Sequence, residues 1–273
     1  MLPASSHLSS RPKGQGLLLI WGGINPAITD EDALNDWWTK EHLPERLNLP
    51  GFQRAVRYRA LNSDDGTGNY FTLYESSSVQ DLASPEYLAA LENPTPRTKQ
   101  FMPCFAGMDR SACEVQWSQV DAAISSSTTK QARKYIMLTV LSALDDPSKI
   151  QTDLVVVLKQ HLYGKTSPAI VGDTCTSIAR ANDEITKAGS VSKSYDNVQF
   201  TQRHGSTHDQ RAGTLVALFE FCIPDASKIG TNDLFHSGWQ EIFIRDLGRV
   251  GTKIEFWQIY KLMGTMNRHE LKR

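Results

Sequence analysis

The sequence is poor in cysteine and has no long apolar run. Its 273 residues include four cysteines, and none of them stands in a Cys-x-x-Cys or other metal-type spacing. So few cysteines in a chain of this length favour a reducing, cytoplasmic location over a disulfide-bonded secreted scaffold. The longest apolar run near the start, residues 17–21, falls far short of the roughly 20 residues that span a membrane. We therefore expect neither a cysteine-based metal site nor a membrane-spanning helix.

Neither sign of charge is in excess. The chain has 29 Lys and Arg residues against 30 Asp and Glu residues, so no global field attracts nucleic acid or an anionic membrane. Hydrophobic residues make up 40% of the chain and charged residues 22%, which is typical of a globular protein and excludes a wholly disordered one. Nucleic acid and membrane partners are therefore not expected.

Residues 16–120 have the pattern of a βαββαβ module. Residues 1–15, rich in Ser, Pro and Gly, are expected to form a disordered tail before it. One helix is predicted to begin near Asp30 and a second at Pro85, where proline is tolerated in a first turn. The predicted strands lie at residues 17–24, 52–61, 70–75 and 114–117.

The same order of elements returns at residues 135–264. Lys159-Gln-His-Leu162 echoes Lys40-Glu-His-Leu43, and Leu218-Phe-Glu220 echoes Leu73-Tyr-Glu75. Each echo is short, but all of them occur in the same order. The sequence therefore predicts an α+β fold of two tandem ferredoxin-like modules.

Three segments fall outside the repeated pattern. Residues 121–134 are rich in Ser and Thr and are expected to link the two modules. Residues 183–213 are predicted to be an insert in the second module, either a functional lid or a disordered segment. Residues 265–273 are expected to be a tail.

A compact motif surrounds the end of the first predicted helix. Trp37-Trp-Thr-Lys-Glu-His-Leu-Pro-Glu45 is followed by Leu49-Pro-Gly-Phe-Gln-Arg54 and Tyr58, and Ser84-Pro-Glu-Tyr87 opens the second helix. This pattern resembles the EthD-like and related dimeric α+β barrel families, and the second helix is similar to that of fungal members. The resemblance covers the first module and persists in the second mainly as element order.

The resemblance implies an intramolecular dimeric α+β barrel with a pocket between a sheet and its helices. One chain supplies both halves, so completing the barrel needs no dimerisation, although a homodimer remains possible. The family's chemistry is mixed. Some members cyclise, decarboxylate or isomerise phenolic and polyketide-like molecules without a cofactor, others are monooxygenases, and some relatives bind haem. The fold therefore does not choose among these reactions.

His42 is the leading catalytic candidate. An imidazole with a pKa near 6.5 can take up and return a proton near neutral pH when it lies at the mouth of a pocket. The alternative is a cationic cap at the C-terminus of the helix. Tyr58 and Tyr74 are further catalytic candidates, because tyrosine hydroxyls can hold a phenol or enolate oxygen, or they are core rings.

Four aromatic side chains and one arginine are the candidate substrate contacts: Trp37, Trp38, Phe52, Arg54 and Tyr87. Alternation along the strand at residues 52–61 places Arg54 on the face of Phe52 and Tyr58, and Arg57 on a charged outer face. Arg54 is then either a cation facing a pocket anion or an edge residue in water. Trp37 and Trp38 point in adjacent directions on a helix, so at most one of them lines a pocket while the other packs the sheet.

These features predict a cofactor-independent small-molecule enzyme that acts on an aromatic or polyketide-like substrate by proton transfer through His42. The reaction would be a cyclisation, a decarboxylation or an isomerisation. Two alternatives stay open: a binding or carrier protein without turnover, and a haem- or oxygen-dependent monooxygenase of the same fold. The first module is expected to hold the working site, because the second keeps His161 but has Phe219 where the first has Tyr74.

No metal site is expected. His204 and His208 have the i, i+4 spacing of a metal pair on a helix, but Gly205 and the polar residues around them favour a loop. The spacing provides no third ligand.

Overall fold

The computed structural model of the chain describes residues 9–61, 69–121, 133–162, 170–201, 213–223 and 238–271. The strands are β1 (Gly16–Ile24), β2 (Phe52–Ala60), β3 (Tyr70–Ser76), β4 (Phe105–Asp121), β5 (Arg133–Ala143), β6 (Val171–Ala181), β7 (Gly213–Ile223) and β8 (Thr252–Asn267). The α-helices are α1 (Glu31–Trp37), α2 (Leu43–Leu47), α3 (Pro85–Glu92), α4 (Pro96–Phe101), α5 (Pro147–Leu162), α6 (Asp183–Ser190) and α7 (Trp239–Arg249). The predicted α+β class is confirmed.

The chain divides into two compact units, and the strand pairs within each unit are antiparallel. The first unit comprises Gly14–Val115, Ala181–His208 and Leu262–Arg273. Its strands β2, β3, β1 and β4 are hydrogen bonded in that order, in antiparallel pairs. The second unit comprises Met1–Lys13, Gln116–Arg180 and Asp209–Lys261, and its order is β8, β5, β7 and β6. All of these strand pairs are antiparallel.

The segment after β6 packs on the first unit. The Asn182 side chain caps α6, and Thr186 on that helix accepts a hydrogen bond at Oγ1 from the Ala112 N–H at 2.9 Å. Further along, the Ser194 hydroxyl donates to the Leu91 carbonyl on α3 at 2.7 Å. Residues 183–201, expected as an insert of the second module, therefore help to build the first unit. The rest of that predicted insert, residues 202–212, lies outside the described residues.

Two residues of the expected tail, Arg11 and Gln15, are buried. Arg11 is 5% exposed, and its Nη1 lies 2.8 Å from Glu220 Oε2 and donates to Ser177 Oγ at 3.0 Å. A buried cation paired with a carboxylate holds a chain segment in place, because separating the pair leaves a charge without a partner. Residues 1–8 are outside the described part of the chain.

The chain is also ordered beyond residue 264. Strand β8 continues to Asn267, and a 3₁₀ turn follows at Arg268–Glu270. Nη1 of Arg268 donates to the carbonyls of Leu49 at 2.9 Å and Phe52 at 3.3 Å. The carboxyl-terminal residues thus support the chain between α2 and β2, whereas composition had placed them in a tail.

Candidate functional site

A layer of aromatic rings lies between the sheet of the first unit and its helices. One continuous core contains residues from all four strands and from α1 to α4. Its ring-bearing members on the sheet include Phe52, Tyr70 and Tyr74, and those on the helices include Trp37 and Tyr87. The predicted substrate contacts on this face therefore come together in one cluster.

The helix that carries His42 is not a regular α-helix. It begins with the Asp30 side chain accepting from the Ala33 N–H, and it widens into a π-helical turn at Trp38–His42, where the Leu43 N–H donates to the Trp38 carbonyl. Pro44 has no N–H to give to the carbonyl four residues earlier and its ring crowds that carbonyl, which favours a wider turn just before it. Such π-turns are frequent at functional sites.

The π-turn buries both tryptophans. Trp37 is 1% exposed and stacks on Phe101 with centroids 5.2 Å apart, while Trp38 is 5% exposed and meets Phe105 edge-on at 4.7 Å. The hydrogen bond of this turn spans five residues instead of the four of an α-helix. The side chain of His42, at the end of the turn, lies against the same cluster. The ring of His42 lies 4.8 Å from that of Trp37.

His42 is held as a neutral imidazole. Its Nδ1 is fully enclosed and has no hydrogen-bond partner among the described residues. Burial lowers the pKa of His42 well below its usual value, and the nearby charges of Arg46 and Arg57 lower it further. The helix continues into α2 after this residue, so the alternative role as a C-terminal helix cap is not supported.

Tyr74 faces the same cluster. Its ring meets Phe52 edge-on at 6.1 Å, and Phe52 in turn lies 5.2 Å from the ring of Tyr87. Burial raises the pKa of Tyr74, and the charge of Arg46 and the indole of Trp38 offset part of that rise. The hydroxyl therefore stays protonated at any ordinary pH.

The expected alternation along β2 breaks at Gln53. The pairing register moves from Phe52 opposite Ser76 to Arg54 opposite Glu75, which makes Gln53 an additional residue, a β-bulge. A shift of one residue exchanges the two faces of a strand. Phe52 therefore shares the helix-side core with Ala55, whereas Arg54 and Tyr58 do not belong to it.

Arg54 and Tyr58 consequently lie on the other face of the sheet from Tyr74. Arg54 Nη1 is 3.3 Å from Glu75 Oε1, and the Tyr58 ring stacks on Phe71 with centroids 5.6 Å apart. The structure thus separates these two predicted site residues from His42. The prediction that Arg54 and Tyr58 share a face with Phe52 was wrong, because it assumed strict alternation and so missed the bulge.

The sequence pattern placed Arg57 on the outer face of β2, but the structure places it on the helix side of the sheet. It is 3% exposed, and its guanidinium carbon lies 4.1 Å from the centre of the Trp38 ring. It donates to Thr39 Oγ1 at 2.8 Å and to Asn35 Oδ1 at 2.6 Å. Burial lowers the pKa of Arg57 to about 10, so the side chain remains a cation at neutral pH.

Two more buried arginines reach the cluster from α2 and β4. Arg46 is 3% exposed and lies four residues after His42, with its guanidinium carbon 6.0 Å from the Tyr87 ring centre. Arg110 is 2% exposed and donates to the Tyr87 hydroxyl at 3.2 Å and to the Thr186 carbonyl at 2.6 Å. Helical spacing from His42 could have pointed to Arg46, but no sequence signal pointed to Arg110.

Gly189 provides the space that Arg110 occupies. A Cβ atom at Gly189 would lie 2.2 Å from Nη2 of Arg110. We expect Gly189→Ala to displace the guanidinium and to lower the free energy of unfolding by about 1–3 kcal/mol, as overpacking does. Urea unfolding measures the loss. Gly248→Ala in α7 is the matched control, because nothing lies within 4 Å there and alanine is the better helix former. Equal effects of the two changes would contradict the placement of Arg110.

The depressed pKa of His42 makes folding stability depend on pH. The unfolded chain binds a proton at His42 as the pH falls below about 6.5, whereas the folded protein does not. Stability should therefore fall with decreasing pH in this range, with a limiting slope of about 1.4 kcal/mol per pH unit from this residue. The measurement is urea unfolding of the wild type and His42→Gln at pH 7 and pH 5.5. An unchanged difference between the two proteins at the two pH values would contradict a neutral His42 in the folded protein.

His161, which the sequence echo pairs with His42, has different surroundings. His161 Nε2 lies 3.0 Å from Asp246 Oδ2, and its ring meets Phe243 edge-on at 5.6 Å. Phe219, which the sequence echo pairs with Tyr74, stacks on Phe221 with ring centroids 5.1 Å apart. The histidine of this unit is thus bound to a carboxylate, unlike His42.

The described ranges contain no group of three or more His, Cys, Asp and Glu side chains that could hold a metal ion. His204 and His208 lie outside them. Among the described helices, none is long and apolar enough to cross a membrane.

Comparison with known proteins gives structural matches only. No family model matches the sequence, and no curated protein matches it. A crystal structure of an anthrone oxidase-like protein matches with a TM-score of 0.54 at 10% identity, over 94% of each chain. A candidate monooxygenase from Fusobacterium nucleatum subsp. nucleatum has a TM-score of 0.49 at 8% identity, over 93% of this chain and 95% of that one. A chlorite dismutase from Candidatus Nitrospira defluvii, in complex with imidazole, has a TM-score of 0.43 at 10% identity, over 96% and 94%.

The anthrone oxidase-like protein shares the dimeric α+β barrel fold. At such low identity the first match shows the fold and nothing finer. The described residues thus have the same mixed α+β fold, with eight antiparallel strands among them.

Proposed function

We propose that the first unit is the active site of an enzyme that moves a proton on an aromatic or polyketide-like small molecule, with His42 as the general base and no cofactor. The observation that supports this most directly is the enclosed, unpartnered Nδ1 of His42. A buried nitrogen without a partner is costly in a merely structural residue, and a substrate O–H or C–H group would supply the missing donor.

The charges around His42 define how it would act. A neutral imidazole is ready to accept a proton at neutral pH, but its low pKa makes it a weak base. The anion that forms on the substrate lies near Arg46 and Arg57, whose charges stabilise it and the proton transfer with it. Return of the proton to another atom completes an isomerisation, and loss of carbon dioxide or closure of a ring uses the same anion.

Oxygenation is the second candidate, supported by the likeness in fold to the anthrone oxidase-like protein. The first step would be the same removal of a proton by His42. The resulting carbanion of an anthrone would then react with molecular oxygen to give an anthraquinone and hydroxide, and the proton held by His42 would convert the hydroxide to water. Anthrone and oxygen thus give anthraquinone and water, with oxygen as the four-electron oxidant of the ring carbon. The two candidates therefore differ only in whether oxygen is consumed.

The organisation of the chain belongs to the same proposal. Each unit's strands and helices follow the order of a ferredoxin-like module, with short echoes in sequence between them, and we take the chain to be a tandem member of the EthD-like type. The proposed function does not require a homodimer, and a homodimer in the cytoplasm is compatible with it. Light scattering measures the mass and decides between monomer and homodimer.

Proton transfer can be tested with anthrone and a panel of hydroxylated naphthalenes and acetylphenols in deuterated buffer. Mass spectrometry under anaerobic conditions measures exchange of carbon-bound hydrogen, and an oxygen electrode measures oxygen uptake in air. We expect exchange above that of heat-denatured protein. Oxygen uptake together with exchange selects the second candidate, and exchange with none of the panel would contradict the function.

A further inference from the structure

Three guanidinium groups are buried on the helix side of the first unit's sheet. Arg46, Arg57 and Arg110 are between 2% and 3% exposed. In the described part of the chain Arg57 and Arg110 form no ion pair. The carboxylate paired with Arg46 is that of its neighbour Glu45, at 3.9 Å from Nη2, beyond hydrogen-bonding distance. Burial of a charge without a paired charge is strongly unfavourable, so this arrangement calls for an anion.

The cluster also has more hydrogen-bond donors than acceptors. Arg46 Nη1, Arg57 Nε and Arg110 Nε are enclosed, and none of them has an acceptor among the described residues. A guanidinium can only donate. The Tyr87 hydroxyl already accepts a hydrogen bond from Arg110, so it cannot accept from all of the unpaired N–H donors. The group that completes the cluster must therefore be an acceptor, and a negatively charged one.

The surroundings select the kind of anion. Phe52, Tyr74 and Tyr87 present rings beside Arg46 and Arg110, with ring separations of 5.2 and 6.1 Å. These rings meet one another edge-on or tilted, and an aromatic ligand can make the same kinds of contact with them. Arginine forks bind planar carboxylates through paired hydrogen bonds.

We propose that the first unit binds an aromatic carboxylate, with Arg46 and Arg110 holding the carboxylate beside Tyr87 and the aromatic rings holding the body of the ligand. This deepens the proposed function and rests on it, because it names the substrate class of the same site. Arg57, stacked on Trp38, then remains available to stabilise the charge that forms when His42 removes a proton.

The probe is 1-hydroxy-2-naphthoate, compared with its methyl ester. The two have the same rings and hydroxyl group and differ in the negative charge. Quenching of tryptophan fluorescence gives both dissociation constants, and Trp37 and Trp38 are in the cluster itself. We expect the carboxylate to bind at least about tenfold more tightly than the ester, as charge-assisted hydrogen bonds allow.

Arg110→Gln and Arg46→Gln, each tested singly, should reduce this preference by about tenfold, because they remove the charge and keep one amide donor. Lys193→Gln is the control, since Lys193 is an exposed cation of the same unit, 3.7 Å from Glu92. Circular dichroism melts check that each variant folds. Should both arginine variants fail to fold, the comparison of carboxylate with ester in the wild type still decides.

Equal or tighter binding of the ester would overturn the proposal, as would binding of neither probe or a preference that survives in both arginine variants. The outcome is separate from that of the exchange assay. Exchange of anthrone without a carboxylate preference overturns the anion site alone. A carboxylate preference without exchange of any compound overturns the enzymatic function and leaves a binding protein.

Discussion

Replacement of His42 by glutamine is expected to lower anthrone exchange by about 100-fold or more, since a positioned general base contributes about 10²–10⁴-fold. Glutamine has a similar length and cannot accept the proton at neutral pH. The imidazole is neutral in the folded protein, so no buried charge is removed with it. The measurement is the initial rate of deuterium incorporation in both proteins, at the same concentration of anthrone.

The matched control is His161→Gln in the second unit, whose histidine is engaged by Asp246. We expect this variant to keep its exchange rate to within about twofold, provided that a thermal melt shows it to be folded. A His42→Gln enzyme with full activity would refute the proposed base. Loss of activity in both variants with intact folding would mean that the second unit takes part in catalysis.

Replacement of Arg57 by methionine is expected to lower exchange by about 10²–10³-fold, the range seen when one donor to a developing negative charge is lost. Methionine keeps most of the volume of the side chain and its contact with the Trp38 ring. The charge near His42 disappears, so the imidazole becomes more basic while the substrate anion loses stabilisation. We expect the second effect to dominate, because the anion exists only after proton transfer.

Arg59→Met is the control for this experiment. Arg59 lies two residues further along the same strand, and its side chain is 49% exposed and paired with Glu31 at 3.1 Å. Its loss should change the rate by less than about threefold, as for most exposed ion pairs. Equal losses in Arg57→Met and Arg59→Met would show that the effect is general electrostatics and not the buried guanidinium.

Local sequence pattern predicted much of the first unit. The strand at β1, the hairpin of β2 and β3, and a helix start near Asp30 follow from apolar spacing and capping residues, and the structure contains them. The motif around His42 also predicted residues that lie together, because Trp37, Trp38 and Tyr87 are all buried in one cluster. These features depend on residues close together in sequence.

The arginines could not be predicted in the same way. The bulge at Gln53 exchanges the faces of β2, which brings Arg57 into the core and moves Arg54 and Tyr58 out of it. A bulge has no clear signature in an alternating strand, since each local segment still alternates. Arg110 depends on a partner more distant still, because Thr186 receives its hydrogen bond from 76 positions away. Contacts over such separations are a property of the fold and not of local pattern.

The pH dependence of kcat/KM for anthrone exchange tests the central claim most directly, because it reports the pKa of the base in the free enzyme. The account predicts that the wild-type rate, corrected for the uncatalysed reaction, holds its plateau as the pH falls below 6.5, since burial and the charges of Arg46 and Arg57 depress the pKa of His42. In Arg57→Met the fall should begin at higher pH, because one of the two charges is gone. A wild-type rate that has already halved at pH 6.5 or above, or a profile that does not move in Arg57→Met, would contradict His42 as the base.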